Sequence, residues 1–201
     1  MTVSVQEADF DPGAEIAALS AGRDDVGAVA SFVGLVRADK TADGAVVPPA
    51  QPGAVSPADG AGCSGGFAEH CSAPAEPAGR AKPAVEAKPA AAVAAMTLEH
   101  YPGMTDKALQ GIVAEARGRW DIFGVRVIHR IGRLLPGDRI VLVAVASAHR
   151  GEAFAACEFI MDYLKTRAPF WKKEETSDGG RWVEARDADD HAAGRWETRR
   201  R

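Results

Sequence analysis

Residues 125–147 read VRVIHRIGRLLPGDRIVLVAVAS, and their reading decides the fold. Val125–Ile131 is β-branched and apolar enough to predict a strand. Leu135-Pro136-Gly137-Asp138 follows as a turn, because proline presets its φ and glycine tolerates the left-handed region. Arg139–Ser147 (RIVLVAVAS) is the strongest strand signal in the chain. Two strands joined by a turn predict an antiparallel hairpin. A helix is expected on each side of it. Upstream, Thr105 caps a helix running to Trp120, with Leu109, Ile112, Val113 and Ala116 recurring at helical spacing. Downstream, Gly151–Arg167 predicts a second amphipathic helix, with Phe154, Cys157, Ile160, Met161 and Leu164 on one face. It must end near Ala168, since Pro169 disfavours the helical region for the residue before it. Hairpins beside helices predict an α+β fold with an antiparallel sheet rather than a doubly wound parallel one.

Further outward, Met96–His100 reads as a short strand, Tyr101-Pro102-Gly103 as a turn and Arg181–Ala185 as a last short strand. Val26–Val36 (VGAVASFVGLV) is mostly apolar and predicts a buried strand. Pro12–Ala21 predicts a short helix with Asp11 as N-cap and Pro12 at the first helical position. Between these blocks lies residues 41–95, an Ala-, Pro- and Gly-dominated stretch holding 8 of the 12 prolines, with Phe67 as its only aromatic. Such composition buries too little apolar surface to offset its ordering entropy, so a disordered insert is expected there. The expected organisation is one domain built from residues 1–40 and 96–190, interrupted by that insert and ending in a frayed tail, 191–201.

The chain has 201 residues, 46% of them hydrophobic and 26% charged, with net charge −4. This fits a globular protein and argues against nucleic acid or membrane surfaces as partners. Any anion site must be a local basic cluster. Three cysteines, Cys63, Cys71 and Cys157, are too few for a disulfide framework and suit a reducing cytoplasm. No signal peptide is read at the N-terminus, and no stretch approaches the ~20 apolar residues of a membrane span.

Chemistry is sought among the basic residues around the second long helix. His149 and Arg150 lie between the strongest strand and the helix, where free backbone N–H groups and the helix dipole favour an anion. Lys165, near the end of the same helix, also complements the dipole there. Lys172 follows Ala168-Pro169-Phe170-Trp171. A lysine beside aromatics can be desolvated and so become a usable acid, base or nucleophile, or can simply snorkel over an indole. Arg37 and Arg186 are ambiguous on position alone. Cys63, His70 and Cys71 fit no zinc spacing and lack a fourth ligand, so no metal is assigned. Cys157, on the apolar helix face, reads as core. There is no phosphate loop, GxGxxG, HExxH or nucleophile elbow. Residue chemistry alone reaches an α+β protein with an anion pocket.

Six strings carry the argument further: FVGLVR (Phe32–Arg37), LEHYPGM (Leu98–Met104), RIGRLLPGD (Arg130–Asp138), SAHR (Ser147–Arg150), MDYLKTRAPFWKKE (Met161–Glu174) and RWVEAR (Arg181–Arg186). In order and spacing they resemble the catalytic (large) subunit family of molybdopterin synthase, over about residues 3–40 and 96–197. The resemblance implies an α/β hammerhead-like fold. It implies a sulfurtransferase that converts cyclic pyranopterin monophosphate (precursor Z) to molybdopterin in molybdenum cofactor biosynthesis. It also implies a homodimer that binds a small ubiquitin-like sulfur-carrier subunit at each end. The carrier's C-terminal Gly-Gly thiocarboxylate supplies the sulfur, so no metal or organic cofactor is called for. By the same resemblance Lys165 and Lys172 are the catalytic residues, and Arg37, His149, Arg150 and Arg186 line the anion pocket, some from the neighbouring protomer. A docking module without chemistry and a small anion-binding protein are the competing readings.

Overall fold

The computed structural model describes residues 3–38, 93–176, 179–183 and 187–197. The chain order is β1 (Val3–Gln6), α1 (Pro12–Ser20), β2 (Ala28–Leu35), β3 (Val93–His100), α2 (Met104–Arg119), β4 (Ile122–Arg130), β5 (Gly132–Leu134), β6 (Arg139–Ser147), α3 (Arg150–Arg167), β7 (Phe170–Thr176), β8 (Gly179–Val183) and α4 (Asp187–Gly194). Two four-stranded sheets result, ordered β1-β4-β6-β2 and β5-β3-β7-β8. All pairings are antiparallel except β1 with β4. The α+β class read from the hairpin is what the structure has, divided over two sheets.

The expected hairpin is present as β4 paired with β6, Val127 facing Val143 in register. Its connection does more than turn. Gly132–Leu134 leaves the first sheet and adds β5 to β3 in the second. The turn then closes through Asp138 N–H to Leu135 O at 2.9 Å, with Gly137 at φ +92°. Arg139–Ser147 is buried from Val141 onward, because β4 and β2 flank it and α3 covers it. α3 runs back along β6. Ser147 Oγ lies 3.0 Å from Glu152 Oε2, and Cys157 Sγ lies 3.7 Å from Val143 O. The main core forms between α2, α3 and this sheet, around Leu109, Ile112, Val127, Val143, Phe159 and Ile160.

Several expectations are corrected. β2 is an edge strand among the described residues and not a buried one: only β6 pairs with it there, and Phe32, Val33 and Leu35 are exposed. Thr105 does not cap α2. Gly103 holds the N-cap position with φ +77°, and Thr105 is buried at the second position of the helix, donating to Tyr101 O and lying 3.2 Å from Pro169 O. Phe154 is 65% exposed and leaves the apolar face that Cys157, Ile160, Met161 and Leu164 do form. β3 starts at Val93, inside the stretch assigned to the insert, and the last strand starts at Gly179 rather than at residue 181, with residues 184 and 185 outside the described ones. The tail from His191 is not frayed as far as Glu197. Residues 187–194 are helical and Trp196 is 2% exposed, because its ring packs against Trp120 and Phe159. The rest of the expected insert, with Cys63, His70 and Cys71, lies outside the described residues, as do residues 198–201.

Candidate active site

Helix α3 ends at Arg167 and β7 begins at Phe170, so Lys165 and Lys172 flank one crossing from the first layer to the second sheet. Thr105 fixes the crossing by its contact with Pro169 O. Lys165 is 48% exposed and its Nζ lies 2.9 Å from Asp189 Oδ1 on α4. Lys172 is 34% exposed and lies 3.4 Å from Glu174 Oε1, which also holds Arg181 through its other oxygen at 2.9 Å. Burial alone would raise the Glu174 carboxyl. Hydrogen bonds and charge from Arg181 and Lys172 outweigh it and hold the group below the usual carboxylate range.

Lys172 occupies its strand level with Leu98 on β3 and Val183 on β8. Side chains in register share a sheet face, so the stem of Lys172 runs along the face that Leu98 buries. Leu98 packs with Met96, Leu134 and Val36. Val36 immediately precedes Arg37 and is pinned by Val36 N–H to Asp138 O (2.9 Å) and Gly137 N–H to Val36 O (2.8 Å). Arg37 thus follows a residue packed beside the strand pair that carries Lys172, and Lys165 lies in the last turn of the helix that leads into that strand.

His149 and Arg150 are not with them. They open α3, exposed, just beyond Ser147. The Ser147 hydroxyl fixes this junction, 2.8 Å from Asp121 O and accepting His149 N–H at 3.4 Å. Gly27 fits here only without a side chain, since a Cβ would come within 2.2 Å of Ala148 O. Along α3, Arg150 and Lys165 are separated by about 22 Å at ~1.5 Å per residue. Arg37 is similarly distant, because Leu35 pairs with Arg139 whereas Ala28 pairs with Ser147 at the other end of the ladder. Within one chain His149 and Arg150 are therefore far from Lys165 and from Arg37. Arg186 lies outside the described residues.

Burial disfavours the charged form of two further groups, Cys157 and His129. Burial pushes the Cys157 thiol up to about 11, with Glu158 adding to it, and a protonated buried thiol is a poor nucleophile. Burial pulls His129 down to about 4, against an opposing hydrogen bond to Arg130 O. Its ring stacks on Phe170 at 3.8 Å, so it serves the crossing as a neutral aromatic. Among the described residues no cluster of His, Cys, Asp and Glu could hold a metal ion, and no helix is long and apolar enough to cross a membrane. Sequence reasoning missed Asp189, Glu174 and Arg181. Asp189 sits in a run of acids that reads as solvated surface, and only its packing partner reveals it.

A family model described as MoaE protein matches residues 79–167. The chain is 51% identical over 195 residues to a protein of Ralstonia nicotianae described as molybdopterin synthase catalytic subunit, covering 97% of this chain and 84% of that one. A solved structure titled molybdopterin biosynthesis MoaE protein from Burkholderia ambifaria is 45% identical, with TM-score 0.63 and 98% of both chains covered. At 14% identity the likeness is one of fold to a chain of the Helicobacter pylori protein–protein complex of subunits 1 and 2 of molybdopterin-converting factor, with TM-score 0.58 and 92% of each chain covered. With this identity running along nearly its whole length, the chain belongs to the molybdopterin synthase catalytic subunit (MoaE) family.

Proposed function

We infer that the protein is the catalytic subunit of a molybdopterin synthase. It moves sulfur from the C-terminal thiocarboxylate of a small ubiquitin-like carrier onto precursor Z, twice in turn through a hemisulfurated intermediate. The single observation that carries this reading is the 51% identity over 97% of the chain to a catalytic subunit.

Lys165 and Lys172 are the proposed catalytic pair. Both substrates are anionic, since one bears a phosphate and the other a thiocarboxylate, so the site must be cationic. Both lysines are partly exposed at the α3–β7 crossing, and each is oriented by a carboxylate that leaves further N–H groups to donate. A charged ammonium stabilises the oxyanion that develops as sulfur leaves the acyl carbon of the carrier. Lys172, backed by the Glu174–Arg181 pair, is suited to proton traffic on the pterin. Arg37 supplies charge for the phosphate, as Arg186 is also expected to do.

The separation of His149 and Arg150 from Lys165 supports a dimeric enzyme. A two-fold axis can place the start of one α3 beside the end of the other, so that each site takes His149 and Arg150 from its neighbour. The exposed apolar β2 edge, with Leu35 55% exposed, offers surface for such assembly. With one carrier at each end the complex is a heterotetramer. The low cysteine count fits a cytoplasmic setting.

The test is reconstitution. The protein, precursor Z and a thiocarboxylated carrier are mixed, and molybdopterin is read as its fluorescent oxidation product. Multiple turnovers are expected. Tight carrier binding with no product would instead make the chain a docking module.

A further inference from the structure

Helix α3 turns one polar stripe toward the C-terminal segment. Glu158, Asp162 and Lys165 recur at i, i+4 and i+7, the spacing of one helical face. Each is engaged from beyond β8. Arg195 Nη2 lies 2.7 Å from both Glu158 Oε1 and Asp162 Oδ2. Trp196 Nε1 donates to the same Asp162 oxygen at 2.7 Å, while its ring is buried against Trp120 and Phe159. Arg119 Nη1 donates to Trp196 O at 2.9 Å. These contacts pin the end of α4 onto α3. From the pinned helix, Asp189 reaches Lys165 Nζ at 2.9 Å.

An ion pair this open adds little to stability. Its effect is on geometry. A lysine stem has four flexible carbons, and without a partner the ammonium samples many positions. Asp189, only a quarter exposed and carried on an anchored helix, fixes it while taking one of three N–H donors. The other donors remain toward solvent, where an incoming acyl oxygen can accept them.

We propose that Asp189 is a positioning residue that aims the Lys165 ammonium at the carrier's acyl group, making α4 and its Trp196 anchor part of the catalytic apparatus. This rests on the reading of Lys165 as catalytic. The rigid clamp matters because a misplacement of about 1 Å can cost up to roughly a hundredfold in rate.

The experiment uses the full chain with thiocarboxylated carrier and precursor Z, comparing Asp189→Ala, Asp189→Asn, Lys165→Ala and the Asp189→Ala/Lys165→Ala double variant. Asp189→Ala is expected to lower kcat roughly tenfold, with KM for the carrier within about twofold and the thermal midpoint unchanged. Asp189→Asn regains part of the rate, because its amide oxygen still accepts from the ammonium. The double variant is no slower than Lys165→Ala alone, as expected for residues acting through one group. Wild-type kcat in Asp189→Ala overturns the proposal. So does a loss that adds to that of Lys165→Ala, or one that tracks a fallen thermal midpoint without rescue by Asn. Unimpaired turnover by Lys165→Ala overturns the catalytic reading of Lys165 as well, and that arm separates the two failures.

Discussion

Glu174 Oε1 lies 3.4 Å from Lys172 Nζ, two residues along β7 and therefore on the same face of the sheet. The carboxylate also binds Arg181 on β8, so it ties the lysine to the neighbouring strand. Glu174→Gln keeps the size and removes the charge. Turnover is expected to fall roughly tenfold while the protein stays folded, a loss of orientation rather than of structure. Steady-state kinetics beside a thermal melt checks this, and unchanged kcat would count against the role given to Lys172.

If each site draws on two protomers, two inactive variants should rescue one another. Lys165→Ala and Arg150→Ala are inactive or nearly so alone. Mixed and reannealed, they form heterodimers in which one site carries both defects and the other carries none. Random mixing should restore about a quarter of the wild-type rate, since half the dimers are mixed and each has one intact site of two. No recovery would place both residues in one protomer's site.

Trp196 anchors the C-terminal helix. Trp196→Ala should destabilise the fold by roughly 3–5 kcal/mol, the usual cost of emptying a large buried aromatic site. Trp196→Phe keeps most of the packing but loses the bond to Asp162, and should cost only about 1–2 kcal/mol. Chemical denaturation of the two variants measures the difference. Equal, small losses would mean that the segment from residue 187 is not held by this ring.

His129 predicts a pH dependence. Its folded value of about 4 lies below the ordinary 6.5, because burial penalises the charged ring. The unfolded chain therefore binds the extra proton first. Stability is fully present above pH 6.5, falls as pH drops from there toward 4, and levels off below. The full span is at most about 3.5 kcal/mol, at ~1.4 kcal/mol per unit. Denaturation midpoints across that window should decline in the wild type and much less in His129→Gln. A flat wild-type profile would contradict the buried neutral ring.

What the sequence revealed and what it hid follow from physics visible in single elements. The stripe of Leu109, Ile112, Val113 and Ala116 and the apolar run of β6 were readable, because long periodic elements report their own burial. β2 reads as buried by composition, yet its exposure depends on where it falls in the sheet order, which no local pattern encodes. β7 carries KKEET and follows a proline, so it imitates a solvent loop, and it is a strand because β3 and β8 flank it. α4 is acidic and its apolar residues are only alanines, and it is held by contacts no local pattern announces: Ala193 and Trp196 in the core, and Arg195 on Glu158 and Asp162. Lys165 and Lys172 were assigned catalytic roles through the family strings, since on their chemistry alone a dipole-complementing and a snorkelling lysine read equally well. Asp189 and Glu174 stayed hidden because a carboxylate's partner is a matter of tertiary contact. The separation of His149 and Arg150 from Lys165 is likewise a consequence of α3 folding back along β6.

The most direct test of the account follows the sulfur itself. Carrier bearing radioactive sulfur in its C-terminal thiocarboxylate is mixed with precursor Z and with the wild type, Lys165→Ala or Lys172→Ala in a single turnover. The label should move onto the pterin with the wild type and stay on the bound carrier with either variant. Transfer at the wild-type rate in both variants, or none in the wild type despite carrier binding, would contradict it.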